Sequence, residues 1–277
     1  MNKTELTATL EKLGMRPGRG LGQNFLLDAN LLDFIVRASG AAPGMNVLEV
    51  GPGFGALTRR LLAAGASVWA IEFDRRLADY LRNEIKSEKF HLIEGDACKV
   101  DFVSALPEGD FRVIANLPYS ISSVFIARLL TLANPPEAWF FMLQKEMAQR
   151  LAANTRTKNY GALSVRTQLS YNVELVRMVP PEVFFPPPAV DSALLAGTLR
   201  PELPSADERR RVDALARMAF HQRRKKLTNT LGVTFGGANV AAALEKLGIS
   251  VDARPENLTC ADFLALSELL GAINQNQ

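Results

Sequence analysis

The sequence predicts a doubly wound α/β domain, with helices on both faces of a mainly parallel sheet, followed by a small all-α domain. Between residues 45 and 170, short apolar runs alternate with segments of helical periodicity, which is typical of repeated strand–helix units. The first of these runs ends in three glycines at alternate positions, a pattern typical of a tight turn that opens a helix. After Pro204 the apolar spacing is helical only. We therefore predict two domains, residues 1–203 and residues 204–277.

The composition is that of an ordinary globular protein. Of the 277 residues, 48% are apolar and 22% are charged, and the net charge of +3 is too small to indicate a partner. Cys98 and Cys260 lie far apart in sequence and match no metal-binding spacing, which predicts a reducing compartment without disulfides. No apolar run approaches the roughly 18 residues that span a bilayer. The N-terminus mixes charged and apolar residues as an amphipathic helix does, so we predict a cytoplasmic protein without a secretory signal.

The individual elements follow from periodicity and from the glycines and prolines between them. The predicted strands are 45–50, 67–71, 91–94, 111–115, 138–143, 173–179 and 193–199. The predicted helices are 4–13, 30–38, a helix that opens after Gly55, and 75–86, 120–132, 144–153, 160–169, 206–221, 224–231, 238–247 and 259–273. The last two strands are expected to pair as a hairpin and to complete the sheet.

A glycine-rich, basic stretch, residues 16–28, separates the first two helices. Its closely spaced glycines exclude a regular element. Two interpretations stay open at this point: a linker, or a lid that closes over a ligand with Arg16 and Arg19 available to phosphates. Composition alone favours the linker.

The turn after the first strand predicts a nucleoside cofactor. Gly51, Gly53 and Gly55 let the backbone approach a ligand closely, and the following helix offers its N-terminal amides. The next strand ends at Glu72, 21 positions after Gly51, which is the separation expected for a carboxylate that accepts the two ribose hydroxyls. Asp96 follows the third strand and either accepts a hydrogen bond from the cofactor adenine or caps the next turn. NAD and S-adenosylmethionine both fit this pattern.

The fourth strand is followed by Asn116-Leu117-Pro118-Tyr119, in which the proline makes a rigid elbow. We interpret this elbow as the part of the site that orients the amine of an adenine for methylation. That amine is a poor nucleophile. The side-chain oxygen of Asn116 and the backbone carbonyl of Leu117 are two acceptors for the amine hydrogens of an adenine. Tyr119 can stack on the base and favour the positive charge that develops on it. The alternative is a polar turn with an aromatic ring packed inward.

The segment Phe184–Ser192 contains three consecutive prolines and is therefore extended and excluded from a central strand. Phe184, placed opposite Tyr119, would sandwich an extruded base. The alternative for Phe184 is a place in the hydrophobic core.

The C-terminal helices are basic near their start. Arg223, Arg224, Lys225 and Lys226 follow one another directly, and clustered cations suit phosphate contacts that position a nucleic acid without reading its sequence. A solvated basic helix face is the default alternative.

Taken together, these motifs resemble the bacterial small-subunit rRNA adenine dimethyltransferases, over nearly the whole chain. The motifs that carry the resemblance are Leu21–Leu26, Glu49–Gly55, Glu94–Ala97, Asn116–Tyr119, Phe184–Ser192, Ala219–Leu227 and Arg254–Leu258. The glycine motif is generic to methyltransferases, whereas the elbow, the proline-rich segment and the tail are more specific.

The resemblance implies a Rossmann-like class I methyltransferase domain that uses S-adenosylmethionine and no metal. It implies cofactor contacts from Asn24, Leu26, Gly51, Glu72, Asp96 and Asn116. It places the amine-orienting groups on Asn116 and Leu117 and the stacking aromatics on Tyr119 and Phe184. It also favours the lid over the linker. The implied partner is small-subunit rRNA within a 30S pre-ribosomal particle, which the tail residues 223–226 help to hold. Because nothing in the sequence suggests an obligate dimer, we predict a monomer.

Other functions remain open from the sequence. A resistance-type methyltransferase of large-subunit rRNA shares the core but not the tail motifs. A DNA adenine methyltransferase more typically carries an acid at the position of Asn116. A further alternative is that the chain acts mainly as an RNA-binding ribosome-assembly factor. An NAD enzyme is disfavoured, because His91 and His221 lie outside the pocket motifs.

Overall fold

The computed structural model describes residues 1–15, 23–106 and 109–274. The chain divides into two compact units. Unit 1 comprises Met1–Arg128, Pro136–Ala148 and Glu174–Thr198, and unit 2 comprises Leu129–Pro135, Gln149–Val173 and Leu199–Gln277. The division predicted from the sequence, into residues 1–203 and 204–277, differs from these units chiefly in residues 149–173, which belong to unit 2. Val165 of that stretch shares a hydrophobic core with Val212 and Phe263 of the C-terminal helices.

The described elements follow the predicted alternation of strands and helices. The strands are β1 (Phe25–Leu26), β2 (Asn46–Val50), β3 (Ser67–Glu72), β4 (Phe90–Glu94), β5 (Arg112–Asn116), β6 (Ala138–Gln144), β7 (Tyr171–Val179), β8 (Phe184–Phe185) and β9 (Ser192–Leu199). The helices up to β7 are α1 (Lys3–Lys12), α2 (Ala29–Ala38), α3 (Ala56–Ala63), α4 (Arg75–Glu84), α5 (Phe102–Ala105), α6 (Ser122–Leu129), α7 (Lys145–Leu151) and α8 (Ala162–Ser170). The later helices are α9 (Ala206–His221), α10 (Leu227–Thr230), α11 (Gly232–Phe235), α12 (Gly237–Lys246) and α13 (Cys260–Asn274).

The main sheet has seven strands in the order β4-β3-β2-β5-β6-β9-β7. Strands β2 to β6 pair in parallel, and β9 runs antiparallel to β6. The strand order reverses between β2 and β5, and in such sheets a ligand binds outside the carboxyl ends of the strands at this point. The predicted α/β class with a C-terminal helical region is confirmed.

The centre of the sheet is closely packed because its strands are apolar on both faces. Val47 and Leu48 in β2 and Val113 in β5 are fully buried. Gly197 in β9 lies opposite Trp139 in β6, and a Cβ atom at Gly197 would come within 2.1 Å of the indole ring. Only glycine fits at this position, which explains the interruption of an otherwise apolar strand.

A second, two-stranded sheet joins the N-terminal segment to the proline-rich segment. Phe25 pairs with Phe185 and Leu26 with Phe184 in antiparallel register. The amide of Leu27 extends the pairing by donating to the Val183 carbonyl at 3.0 Å. The glycine-rich stretch is therefore more than a linker at its C-terminal end, where β1 is held against β8.

Unit 2 is a helical core stabilised by buried arginines. Helix α9 begins at Ala206, as predicted, and Ser205 and Glu208 form a capping box at its N-terminus. Arg166 forms an ion pair with Asp213 at 2.5 Å. The guanidinium of Arg209 donates to four backbone carbonyls, those of Leu130, Leu132, Ala133 and Pro204. These bonds satisfy cations that would otherwise be unfavourable away from water.

The prediction of one helix over residues 224–231 is wrong in its first half. Residues 222–225 form a turn in which the Lys225 amide donates to the Gln222 carbonyl at 2.8 Å. Helix α10 begins only at Leu227, whose amide bonds the Ala253 carbonyl. The basic residues before it therefore lie in a loop. No helix in the described parts of the chain is both long enough and apolar enough to cross a membrane.

Candidate functional site

A cavity of about 370 Å³ opens at the carboxyl ends of the parallel strands. All the residues predicted to bind the cofactor line it: Asn24, Leu26, Gly51, Glu72, Asp96 and Asn116. Leu117 and Tyr119, predicted to act on the target amine, line it as well. The fold thus brings together residues that are up to about 90 positions apart. Gly51, Glu72, Asp96 and Asn116 each end or follow a strand at the same edge of the main sheet, whereas Leu26 lies in the two-stranded sheet and Asn24 directly precedes it.

The glycine turn between β2 and α3 packs directly against the Asn116–Tyr119 elbow. Gly51 has a φ of +67°, and a Cβ atom there would lie 2.9 Å from the ring of Pro118. Gly53 has a φ of +60°, and a Cβ atom would lie 3.1 Å from the ring of Phe25. A side chain at either position would strain the backbone and displace a neighbour that lines the cavity.

Glu72 ends β3 and is only 5% exposed. Its carboxylate accepts the amide of Gly53 at 3.2 Å and that of Asp74 at 2.9 Å. Burial raises the pKa of Glu72 to about 7, although these amides partly oppose the shift. The carboxylate still has lone-pair capacity to accept further hydrogen bonds from a ligand.

Glu49 in β2 is a cavity residue to which we assigned no role from the sequence. It is 2% exposed, and its Oε2 accepts the hydroxyl of Thr58 at 2.6 Å. Burial, assisted by the nearby Glu72, raises the pKa of Glu49 to about 8. The sequence feature that could have identified Glu49 is a carboxylate within an apolar strand next to the glycine turn.

We expect Glu49→Gln to stabilise the protein increasingly as the pH rises. The folded-state pKa lies above the unfolded one, so below about pH 4.5 both states are protonated and the substitution has little effect. Between that pH and about 8, only the unfolded state ionises, which favours unfolding of the native sequence but not of the variant. Thermal unfolding should give a difference that grows by roughly 3 to 4 kcal/mol between about pH 5 and pH 8. A pH-independent difference would contradict the buried, protonated state of Glu49.

Asp96 has the capping role that the sequence left open, and its contact with the cofactor stays a prediction. Its Oδ1 accepts the amide of Cys98 at 2.8 Å, so it caps the turn after β4. Its Oδ2 lies 3.7 Å from the ammonium of Lys99 at the surface. Since the side chain also lines the cavity, capping fixes the carboxylate there and leaves it able to accept a further donor.

The elbow leaves two acceptors available at the cavity. The side-chain amide of Asn116 donates from Nδ2 to the Asn24 carbonyl at 3.2 Å. The Leu117 amide donates to Met142, while the carbonyls of Pro118 and Tyr119 accept from Ile121 and Ser122. Among the described residues, no donor contacts Oδ1 of Asn116 or the carbonyl of Leu117.

Tyr119 lines the cavity with a half-buried ring, and its hydroxyl lies 2.5 Å from the Oγ atom of Ser192. Burial raises the pKa of Tyr119, so the phenol stays neutral at physiological pH. An aromatic ring fixed in this way is suited to stacking on a base.

Phe184 lies in the hydrophobic core, the alternative that the sequence had left open. It is 3% exposed and packs in one cluster with Leu26, Leu32 and Leu194. The pairing of β8 with β1 holds it there opposite Leu26, and it is absent from the described lining of the cavity. Stacking of Phe184 on a base therefore stays a prediction.

Phe73 is an aromatic residue of the cavity that sequence reasoning missed. It follows Glu72 directly, lines the cavity and is 63% exposed. Because the ring is both exposed and part of the cavity lining, it is accessible to a ligand there. Its position beside the predicted ribose-binding carboxylate was the signal available in the sequence.

The four predicted RNA-binding cations differ in their surroundings. Arg223 bonds Glu256 at 2.6 Å and the carbonyls of Thr157 and Lys158, and Lys226 pairs with Asp252 at 2.6 Å. Arg224 and Lys225 are exposed and form no ion pair with any described residue. Arg16 and Arg19, the candidates in the glycine-rich stretch, lie outside the described residues. The described residues also contain no group of three or more side chains suited to hold a metal ion.

Comparison with known proteins agrees with this geometry over almost the entire chain. A family model described as ribosomal RNA adenine dimethylase matches residues 17–271. The protein is 41% identical over 269 residues to ribosomal RNA small subunit methyltransferase A of Thermosynechococcus vestitus, covering 95% of this chain and 100% of the relative. It is 40% identical over 266 residues to the protein of the same name from Vibrio cholerae, covering 95% and 97%.

Two solved structures share the fold over most of the chain. A dimethyladenosine transferase from Plasmodium falciparum superposes with a TM-score of 0.78 and 28% identity, covering 90% of this chain and 98% of that one. The 23S rRNA methyltransferase ErmE superposes with a TM-score of 0.67 and 28% identity, covering 90% and 100%. With the family model matching all but the ends of the sequence, the chain belongs to the ribosomal RNA adenine dimethylase family.

Proposed function

We propose that this protein transfers methyl groups from S-adenosylmethionine to the N6 amines of two adjacent adenosines in the 3′-terminal hairpin of small-subunit rRNA. The product is N6,N6-dimethyladenosine, formed during ribosome biogenesis. The observation that carries the proposal is the elbow Asn116–Tyr119, which presents at the cavity a fixed aromatic ring and two acceptors that receive no donor from the described residues. The small-subunit substrate is supported by the names of the relatives. The protein acts on the 30S pre-ribosomal particle, as a cytoplasmic monomer and without a metal.

The chemistry of the cavity suits the methyl donor, which supplies a methyl group activated by a positively charged sulfur. Glu72 accepts the two ribose hydroxyls, and Asp96 accepts the amine of the donor's adenine. Phe73 offers an apolar face to that adenine, and Gly51 lets the backbone approach closely. Asn24 and Leu26 contribute from the N-terminal side, where β1 is held by β8.

The elbow activates the target amine by orienting it. The lone pair of an adenine amine is delocalised into the ring, so the amine is a poor nucleophile. Oδ1 of Asn116 and the Leu117 carbonyl accept its two hydrogens and turn the lone pair out of conjugation toward the methyl carbon. Asn24 keeps Oδ1 in place, because its carbonyl holds the other end of the same amide. Alignment of this kind supplies a large part of many enzymatic rate enhancements.

Transfer is a single in-line displacement. A bond forms between the amine nitrogen and the methyl carbon as the bond from carbon to sulfur breaks. The methylated amine is then acidic enough to release its proton to water, so no side chain must act as a general base. Tyr119 faces the positive charge that develops on the base. For the second methylation, only one hydrogen remains for the two acceptors to hold.

Unit 2 contributes electrostatic contacts with the RNA backbone. Arg224→Ala and Lys225→Ala are each expected to weaken rRNA binding and to lower the slope of log affinity against log salt by about one, since each removes one phosphate contact. Binding measured over a salt series checks this prediction. Lys246→Ala, an exposed cation at the end of α12 in the same unit, is the matched control. Unchanged slopes in both variants would show that the loop does not contact phosphate.

Arg223 is expected to be structural, in contrast to its two neighbours, because its guanidinium holds Glu256 and two carbonyls within unit 2.

A large-subunit rRNA methyltransferase is the second candidate, favoured by the structural likeness to ErmE. The deciding assay supplies labelled S-adenosylmethionine together with unmodified small subunits, their naked rRNA, or large subunits. We expect label on small subunits. Label confined to large-subunit rRNA would favour the second candidate, and tight binding to small subunits without label would indicate an assembly factor that does not depend on catalysis.

A further inference from the structure

Ser192 is a fully buried polar residue for which the proposed reaction has no role so far. It begins β9, is 0% exposed, and is followed by the equally buried Ala193 and Leu194. A buried hydroxyl is unfavourable unless it is hydrogen-bonded. Its side-chain partner is the hydroxyl of Tyr119, at 2.5 Å across 73 positions of sequence.

The backbone around Ser192 is held firmly on both sides. Ser192 pairs with Gln144 at the end of β6, so it is part of the main sheet. The carbonyl of the preceding Asp191 accepts the Lys145 amide at 2.9 Å, and its carboxylate pairs with the Lys145 ammonium at 3.3 Å. The Oγ atom of Ser192 is thus a fixed point in unit 1.

Tyr119 is therefore fixed both at its backbone and at its hydroxyl. At its backbone, the ring of Pro118 restricts the chain before it, and the Tyr119 carbonyl accepts the hydroxyl of Ser122 at 3.2 Å. At the far end of its ring, Ser192 is the contact that fixes the hydroxyl. With both ends held, rotation of the ring is restricted. With the hydroxyl released, the ring could turn on its Cα–Cβ bond.

We propose that Ser192 is a positioning residue that holds the ring of Tyr119 in the plane required to stack on the target adenine. It acts through Tyr119 and does not touch the base. This inference rests on the proposed function, in which Tyr119 faces the methylated base. It also gives a reason for a tyrosine at this position, since phenylalanine would stack equally well but could not be anchored.

The test uses Ser192→Ala, Tyr119→Phe and the double variant in the full-length protein. Each removes the same hydrogen bond, so each should slow single-turnover methylation of small subunits by about fivefold, the effect of one hydrogen bond, and the double variant should be no slower than either. Affinity for S-adenosylhomocysteine should be unchanged. A target RNA carrying 2-aminopurine at the methylated position should show weaker fluorescence quenching by stacking in all three variants.

Ser267→Ala is the matched control, because Ser267 is also buried but makes only a local bond to the Leu264 carbonyl in unit 2. It should leave rate and quenching unchanged. If Ser192→Ala unfolds more readily than this control, Tyr119→Phe decides, since it keeps the ring and removes the bond. If Tyr119→Phe and Ser192→Ala both keep the wild-type rate and the wild-type quenching, the role proposed for Ser192 is wrong, but the proposed function stands. A wild-type protein that labels no rRNA would overturn the proposed function as well.

Discussion

Asn116→Ala is expected to lower the rate of methyl transfer by about 10³-fold or more, because it removes the acceptor that orients the target amine. The variant also loses the bond from Nδ2 to the Asn24 carbonyl, so the N-terminal segment loses one of its contacts with the elbow. The fold should persist, since Asn116 lies at the end of β5 and outside the hydrophobic core. Single-turnover kinetics with saturating donor and small subunits, together with thermal unfolding, measure both effects.

Asn46→Ala is the matched control for this experiment. Asn46 lies at the opposite end of the neighbouring strand β2, and its Nδ2 also donates to a backbone carbonyl, that of Asp110 at 3.3 Å. The two substitutions remove the same chemical group and a similar hydrogen bond from opposite ends of the sheet. The control should retain the wild-type rate. Near-normal turnover in Asn116→Ala would show that the elbow does not orient the amine.

Glu72→Ala is expected to weaken binding of S-adenosylhomocysteine by about 100-fold, since two hydrogen bonds between the carboxylate and the ribose hydroxyls are lost. Calorimetry with this unreactive product separates binding from chemistry. Glu94→Ala is the control, because Glu94 pairs with Glu72 across β3 and β4 but bonds the exposed Arg82 instead of the cavity. Equal affinity in Glu72→Ala and the wild type would place the ribose elsewhere.

The pH dependence of the same binding reports the state of Glu72. Its pKa is about 7 without ligand, and the ionised form is the one that accepts the two hydroxyls. Affinity should therefore be constant above about pH 8 and fall by up to tenfold per pH unit below about pH 7. The protonated fraction grows in that range, which fixes the sign of the effect. In Glu72→Ala this part of the pH dependence should disappear.

The parts of the site that could be predicted are those formed by short, contiguous stretches of sequence. The glycine turn, Glu72, Asp96 and the Asn116–Tyr119 elbow each follow a strand, and the carboxyl ends of parallel strands meet at one edge whatever the detailed packing. The strand order then brings them to a single cavity.

The parts that could not be predicted depend on contacts between distant segments. Two-residue strands have no periodicity, so the pairing of Phe25 and Leu26 with Phe184 and Phe185 left no pattern to detect. The same pairing explains why Phe184 is buried. The contact between Tyr119 and Ser192 joins residues 73 positions apart and depends on the register of β9 against β6.

The organisation of unit 2 could not be predicted from the sequence, for a related reason. Tyr160 and Val165 have the apolar spacing of any α/β helix, yet they pack with the C-terminal helices. Periodicity shows which face of a helix is buried but not against which partner. Similarly, the run of residues 223–226 shows the charge but not that Arg223 and Lys226 are already paired.

The central claim is tested most directly by mass mapping of small-subunit rRNA after reaction of unmodified small subunits with the purified protein and S-adenosylmethionine. We expect N6,N6-dimethyladenosine at two adjacent positions of the 3′-terminal hairpin, and none when the Asn116→Ala variant is used. Methylation at another base, only one methyl group on each adenosine, or modification found solely in large-subunit rRNA would contradict the account.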